Sequence, residues 1–592
     1  MATTIQFLKH LRRFLLPYLG VRGPKKLYIY ALMVGAFSGL AATAFTMALN
    51  AVDTLVLKAS SPLATSTYSW GLFLVPAIGG LLSGLLTYLF APEAGGHGTD
   101  AMIDAFHNQE GKIRARTPYV KILATLCTLG SGGSAGKEGP LAQVGAGFGS
   151  WWAEICGLGS RARRALLLAG AAGGLGAIFR SPLGGALTAI EVLYKEDFES
   201  DAFIPCVISS VTGYAVVSSF MGGEHIYQLK GGVAFHHPRE IFFYALLALV
   251  CMPMAWMYVK FFYGMRQLVF DRLPVPSYVV PALGGVIVGI IGLWFPQVLG
   301  SGDRYLQEVI SGGFSLAWQE AMRFFLTLAV LKIVATTCTV GAGGSGGVFA
   351  PSLFIGGMLG AMVGTLGHIL FPEIVTAVEP YVLVGMGAFF AGIANAPLAS
   401  LIMVSEMTGG YALLAPMMAV GVVTLLLNRR WSIYEKQVSN RFASPAHLWD
   451  MRPDILQSIK VGDGTLTYSQ RAVVQNNMLL FSLEAHAQQI HATDFIVVDA
   501  NNHYVGAVSL RHTVLSEPDP FLRNVVLLED VATKAETVKP SDNLRDAMAA
   551  LLRADMDKIA VEEGGTVLGH ISNRDILRAY ELAMRDPAAN PA

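Results

Sequence analysis

KILATLCTLGSGGSAGKEGP, residues Lys121–Pro140, is an apolar run that ends in a glycine-rich turn and delivers one carboxylate, Glu138, at a helix start. The pattern returns as KIVATTCTVGAGGSGGVFAP, Lys332–Pro351. Cys127 aligns with Cys338, Ser134 with Ser345 and Pro140 with Pro351, always 211 residues apart, so Phe349 stands where Glu138 stands. Two matched apolar segments, both broken by glycine, point to a transport site near the middle of a membrane.

A second correspondence widens the repeat. Gly170, Pro182-Leu183 and Glu191 match Gly385, Pro397-Leu398 and Glu406 at an offset of 215. The halves cover residues 27–225 and 226–440. Whether they run parallel or inverted does not follow from these matches. The composition agrees with a polytopic membrane protein: of 592 residues, 53% are hydrophobic and 14% charged, where soluble domains run near 25% charged. Lys+Arg and Asp+Glu both number 42, so net charge gives no reason to expect a nucleic-acid partner. The five cysteines lie in apolar surroundings without metal-ligand spacing and read as packed thiols. No nucleophile–base constellation stands out, and an enzyme is not expected.

Residues 1–26 carry Lys9, Arg12, Arg13, Arg22, Lys25 and Lys26 and no acid. This predicts an amphipathic, cytoplasmic N-terminus by the positive-inside rule. Residues 441–592 change to alternating polar and short apolar runs. Two hairpins are predicted, Phe495–Val498 with Tyr504–Val508 and Lys558–Glu562 with Val567–Ile571, 63 residues apart and each preceded by a helix. The tail is thus an α/β module present twice, on the cytoplasmic side.

GKEGP (Gly136–Pro140), GGVFAP (Gly346–Pro351) and SIYEKQ (Ser432–Gln437) resemble motifs of the CLC chloride channels and proton-coupled chloride exchangers, and the tail resembles tandem CBS domains. The resemblance implies an all-α polytopic membrane fold of two inverted repeats and about 18 helices, followed by a cytoplasmic tandem CBS module. It implies a homodimer in the lipid bilayer, here a bacterial inner membrane, with an anion pathway in each subunit and voltage-gated relatives. No cofactor is required. The motifs also make physical sense. Helix N-termini offer free N–H groups and a partial positive charge to an anion, and glycines let the backbone approach it.

By this resemblance Glu138 is the gate, a carboxylate that competes with chloride for its own site. The alternative is a structural ion pair with Lys137 or Arg180. The anion site would comprise His97, Gly98, Lys137, Gly139, Val348, Phe349 and Tyr434. His97 stands where the family usually has a serine, and either donates to the anion or faces away from it. Val192 stands where exchangers usually carry a proton-passing glutamate, which favours a channel over a proton-coupled chloride or fluoride exchanger. Glu191 and Glu406 are expected to brace helices. In the tail, Ser572 and Asp575 match the pattern for phosphate and ribose of an adenine nucleotide, while His512 replaces the aspartate in the first copy. The tail is either nucleotide-regulated or purely structural. A nucleotide sensor with a vestigial pore is the remaining alternative.

Overall fold

The computed structural model describes residues 25–60, 73–229, 235, 237–313, 317–450, 453–463, 466–490, 492–510 and 525–585. Nearly all of the basic N-terminus, and His512, lie outside these residues. The chain divides into two compact units, Met1–Arg441 and Phe442–Ala592.

Sixteen α-helices are described in the first unit, from Lys25–Ser60 to Leu414–Asn428. Seven helical segments among the described residues are long and apolar enough to cross a membrane. Others are short because the sequence stops them. The helix Ser160–Phe179 ends at Arg180 in the left-handed conformation (φ 50°), and Pro182 opens the next helix, Pro182–Glu191. The second half repeats the device: Asn395 (φ 52°) closes Glu379–Ala394 and Pro397 opens Pro397–Thr408. A left-handed cap followed by proline at a first helical turn ends one helix and starts another.

The equivalent helices Pro182–Glu191 and Pro397–Thr408 hold each other by their opposite ends. Glu191 accepts the N–H groups of Leu398 (3.1 Å) and Ala399 (2.6 Å). Glu406 accepts from Ser181 Oγ (2.5 Å), Leu183 N (3.3 Å) and Gly184 N (2.9 Å). Each C-terminal carboxylate caps the partner's N-terminus, so the two helices are antiparallel. The halves are therefore inverted, the direction the repeat alone left open.

Helix crossings repeat as well. A Cβ on Gly145 would run into the Gly170 carbonyl, and one on Gly170 into that of Gly145; Gly356 and Gly385 stand in the same reciprocal relation. These pairs join the helix Glu138–Ile155 to Ser160–Phe179, and Phe349–Leu370 to Glu379–Ala394.

In the second unit, Asp494–Val498 pairs antiparallel with Tyr504–Ser509 and parallel with Val473–Gln475. Lys558–Glu563 pairs antiparallel with Thr566–Ser572. The second hairpin turns at Gly564 (φ 59°) and Gly565 (φ 89°), as the positive φ of a tight two-residue turn requires. The preceding helices, Leu480–Ile490 and Leu544–Ala554, lie where the sequence puts them, and the Asn543 side chain caps the second by accepting from Asp546 N–H. Equivalent residues of the two copies meet: Asp557 N–H donates to Asp494 (2.8 Å), and His503 bridges Thr566.

His570 is buried in this tail at 4% exposure, and burial, with Lys558 adding to it, lowers its imidazole pKa to about 4. The folded tail therefore favours the neutral ring. Stability is full above the unfolded value near 6.5 and is lost as pH falls from there toward 4, by about 3 kcal/mol at the end of that window. Limited proteolysis of the full chain should find the tail increasingly cleaved across that window, and His570→Gln should flatten the dependence. In the membrane unit, Gly170→Val or Gly385→Val forces packed backbones apart. A cost of about 2 kcal/mol or more should appear as a lower unfolding temperature in detergent.

Candidate functional site

Three helices begin at one place: Thr99–Asn108, Glu138–Ile155 and Phe349–Leu370. Their loops are stitched backbone to backbone. Gly136 and Gly347, equivalent positions of the two halves, exchange hydrogen bonds of 2.7 and 2.6 Å as an antiparallel pair. Gly346 N donates to Gly96 O at 3.2 Å. A Cβ on Gly98 (φ 81°) would meet the Gly139 carbonyl at 2.9 Å, and one on Gly139 would meet the His97 carbonyl. Only glycine allows this approach.

Each loop is also held from behind by a lysine. Lys121 Nζ donates to Ala94 O (3.0 Å) and Gly96 O (2.7 Å). Its equivalent Lys332 donates to Val298 O (2.9 Å) and Gly300 O (2.8 Å). The second pair marks a fourth break, before the helix Asp303–Ile310, which sequence reading missed. Gly300-Ser301-Gly302 there echoes Gly96-His97-Gly98, and each triplet is followed within two residues by an aspartate.

Glu138 is 1% exposed. Its Oε2 has no hydrogen-bond partner, and the Ala350 N–H faces the carboxylate. It is not ion-paired with its neighbours. Lys137 reaches Asp303 instead (3.4 Å), Asp303 also accepts from Tyr227 Oη (2.9 Å), and Arg180 donates to the carbonyls of Glu224 and Met221. Lys137 thus spends its charge on a carboxylate that the sequence did not reveal. Val348 precedes the helix that Phe349 opens. The Phe349 ring lies 4.1 Å from that of Phe390 and 4.5 Å from that of Phe179, centroid to centroid, closing the space beside the helix start.

Tyr434 is 3% exposed, and its hydroxyl meets the Thr99 side chain. The His97 ring is 5.7 Å from the Tyr434 ring. His97 Nε2 lies 3.1 Å from Asp100 Oδ2, and its buried Nδ1 has no partner. Asp100 also accepts the N–H groups of Glu435 (3.3 Å) and Lys436 (3.1 Å), which follow Tyr434. A cavity of about 510 Å³ opens against His97, Gly98 and Asp100, with Arg266 on its wall. The site residues named from sequence, apart from Val192 and the tail pair, therefore surround these three helix starts.

Val192 is fully buried, and its carbonyl accepts from Gln437 Nε2 at 3.0 Å. In the tail, Ser572 Oγ donates to Asp575 Oδ2 (2.6 Å), as does the Ser572 N–H (2.8 Å). The pair caps its own helix, Asn573–Arg585.

The family model described as voltage gated chloride channel matches residues 79–429. This chain is a CLC protein. A CBS domain model matches residues 528–582. A ClcB-like chloride channel protein, so named, from Ralstonia nicotianae is 30% identical over 69% of this chain and 95% of its own. The H(+)/Cl(-) exchange transporter ClcA of Klebsiella pneumoniae is 30% identical over 68% and 86%. Among solved structures, a slow cyanobacterial Cl-/H+ antiporter superposes with a TM-score of 0.63 at 22% identity, covering 69% of this chain and 95% of that one. A eukaryotic CLC transporter superposes at 0.62 and 18%, covering 93% and 97%. These likenesses carry the CLC fold and anion transport across a membrane, with a CBS region at the C-terminus.

The caps of this CLC protein can be tested directly. Glu406→Ala leaves three donors unpaired and should cost about 1–3 kcal/mol, read as a lower unfolding temperature. Glu406→Gln keeps an acceptor and should cost less.

Proposed function

We propose that this CLC protein is a passive chloride pathway gated by Glu138, uncoupled from proton transport. The observation that carries the reading is the buried Glu138 carboxylate, unpaired at Oε2 among the converging helix starts. An ionised group there competes with an anion for the same donors, and its protonation releases them. The amides of Gly98, Gly139, Val348 and Phe349 and the Tyr434 hydroxyl supply those donors. Lys137, tied to Asp303, contributes potential rather than a contact.

The uncoupled half of the reading rests on Val192. Valine holds no proton, and the adjacent Glu191 already accepts two backbone N–H groups. Proton-coupled exchange is the second reading. The relatives that are exchangers or antiporters by name favour it, as does a buried carboxylate near Val192: Glu199, 3% exposed, accepts from Tyr194 Oη at 2.8 Å. The protein works as a homodimer with both termini in the cytoplasm, is not an enzyme and needs no cofactor. The tail acts as a structural module, since Ser572 and Asp575 already satisfy each other.

Purified full-length protein in liposomes decides between the readings. Under an imposed chloride gradient, anion flux with no uphill proton movement is expected, and proton pumping driven by chloride would overturn the uncoupled reading. Glu138→Gln should remove the pH dependence of gating and keep or raise the flux. An unchanged pH dependence would remove Glu138 from the gate.

A further inference from the structure

Besides Glu138, the imidazole of His97 is a polar group at the anion site whose bonding is incomplete. It is 7% exposed and stands at the start of the helix Thr99–Asn108, against the cavity. Its Nε2 is committed to Asp100 (3.1 Å). In the neutral ring one nitrogen bears the proton and the other a lone pair, and the hydrogen bond decides which. A carboxylate at Nε2 fixes the proton there, so the buried Nδ1 presents its lone pair. A lone pair repels an anion. The imidazolium donates from both nitrogens, and its Nδ1–H becomes a ligand.

Asp100 cannot easily turn away to release this choice. Its two oxygens also accept from Glu435 and Lys436, in the strand of chain that carries Tyr434. One carboxylate thus orients both side chains that flank the site, the His97 ring and the Tyr434 loop.

We propose that Asp100 is a positioning residue that makes His97 a proton-dependent ligand, so that this CLC protein binds its anion at this position together with a proton. The inference rests on the anion site proposed above and not on whether transport is coupled. The titratable and charged groups around the ring and its carboxylate come from four elements. Asp100 lies in the first turn of the helix that follows His97. Lys121 comes from Thr117–Gly130, Tyr263 and Arg266 from Ile241–Leu268, and Tyr434 from the C-terminal segment; Asp271 lies further along the cavity wall. Lys121 is spent on carbonyls and Tyr263 Oη on Ile433 O. Among these groups, Asp100 alone is bonded to the ring.

Isothermal titration of chloride into full-length Glu138→Gln protein in detergent tests this without the gate's own titration. Repeating it in buffers of different ionisation enthalpy counts the protons taken up per anion. Chloride affinity is expected to rise several-fold from pH 8 to pH 6 with net proton uptake. Glu138→Gln/His97→Ser should bind with no proton uptake and no pH dependence. Glu138→Gln/Asp100→Asn, which withdraws the carboxylate that fixes the proton on Nε2, should bind chloride with less proton uptake and a weaker pH dependence, and an unchanged dependence would remove Asp100 from the positioning role. Equal affinity at both pH values without proton uptake in Glu138→Gln overturns the proposal, as does proton uptake that survives His97→Ser. No chloride binding at either pH would overturn it together with the anion site on which it rests.

Discussion

The two hydrogen bonds between Gly136 and Gly347 are the constraint on which the membrane unit depends. They join equivalent residues of opposite halves at the local two-fold. One glycine break is thereby placed against the other, and the helices Glu138–Ile155 and Phe349–Leu370 start side by side. Without that pair, each break would be an apolar segment with orphaned backbone groups, which a membrane interior does not tolerate. With it, the irregular backbone is buried in protein and its outward amides face a common space.

The repeat then distributes the same devices to both halves and gives them different work. Lys121 and Lys332 hold equivalent breaks by equivalent carbonyls. Yet one break presents His97 to the cavity, while the other presents Asp303, braced by Ser301, to Lys137. Glu138 and Phe349 occupy one repeat position, and one supplies a carboxylate where the other supplies a ring. Function in this fold is the set of places where the symmetry is broken.

Much of this was legible in the sequence, because glycine breaks and prolines report backbone geometry directly. The offsets of 211 and 215 located the repeat, the matched prolines Pro182 and Pro397 that open its short helices, and the paired Glu191 and Glu406, expected to brace helices. The hairpins of the tail were legible from alternation and turn glycines. What stayed hidden was pairing across long separations. Nothing in the sequence near Lys137 names Asp303, and nothing near Tyr434 names Asp100. A carboxylate's partner depends on which loops the fold brings together. Even so, the aspartate that follows each glycine triplet was a signal that could have been read. The inversion of the halves was legible only through the family resemblance, since direction in the membrane is set by packing and not by the matched residues themselves.

The reciprocal caps of Glu191 and Glu406 bear on how the molecule sorts its own helix ends. Every broken helix in a bilayer exposes a positive terminus, and a mobile anion would linger at any of them. At Pro182 and Pro397 the opposite half has already seated a fixed carboxylate, so these ends are plugged and electrically silent. The starts at Thr99 and Phe349 have no such plug. At the third, the Glu138 carboxylate sits at the helix start with its Oε2 unbonded. On the function proposed above, a permeant ion thus meets, among the described helix starts, one open cluster, and selectivity for a route precedes selectivity for an ion.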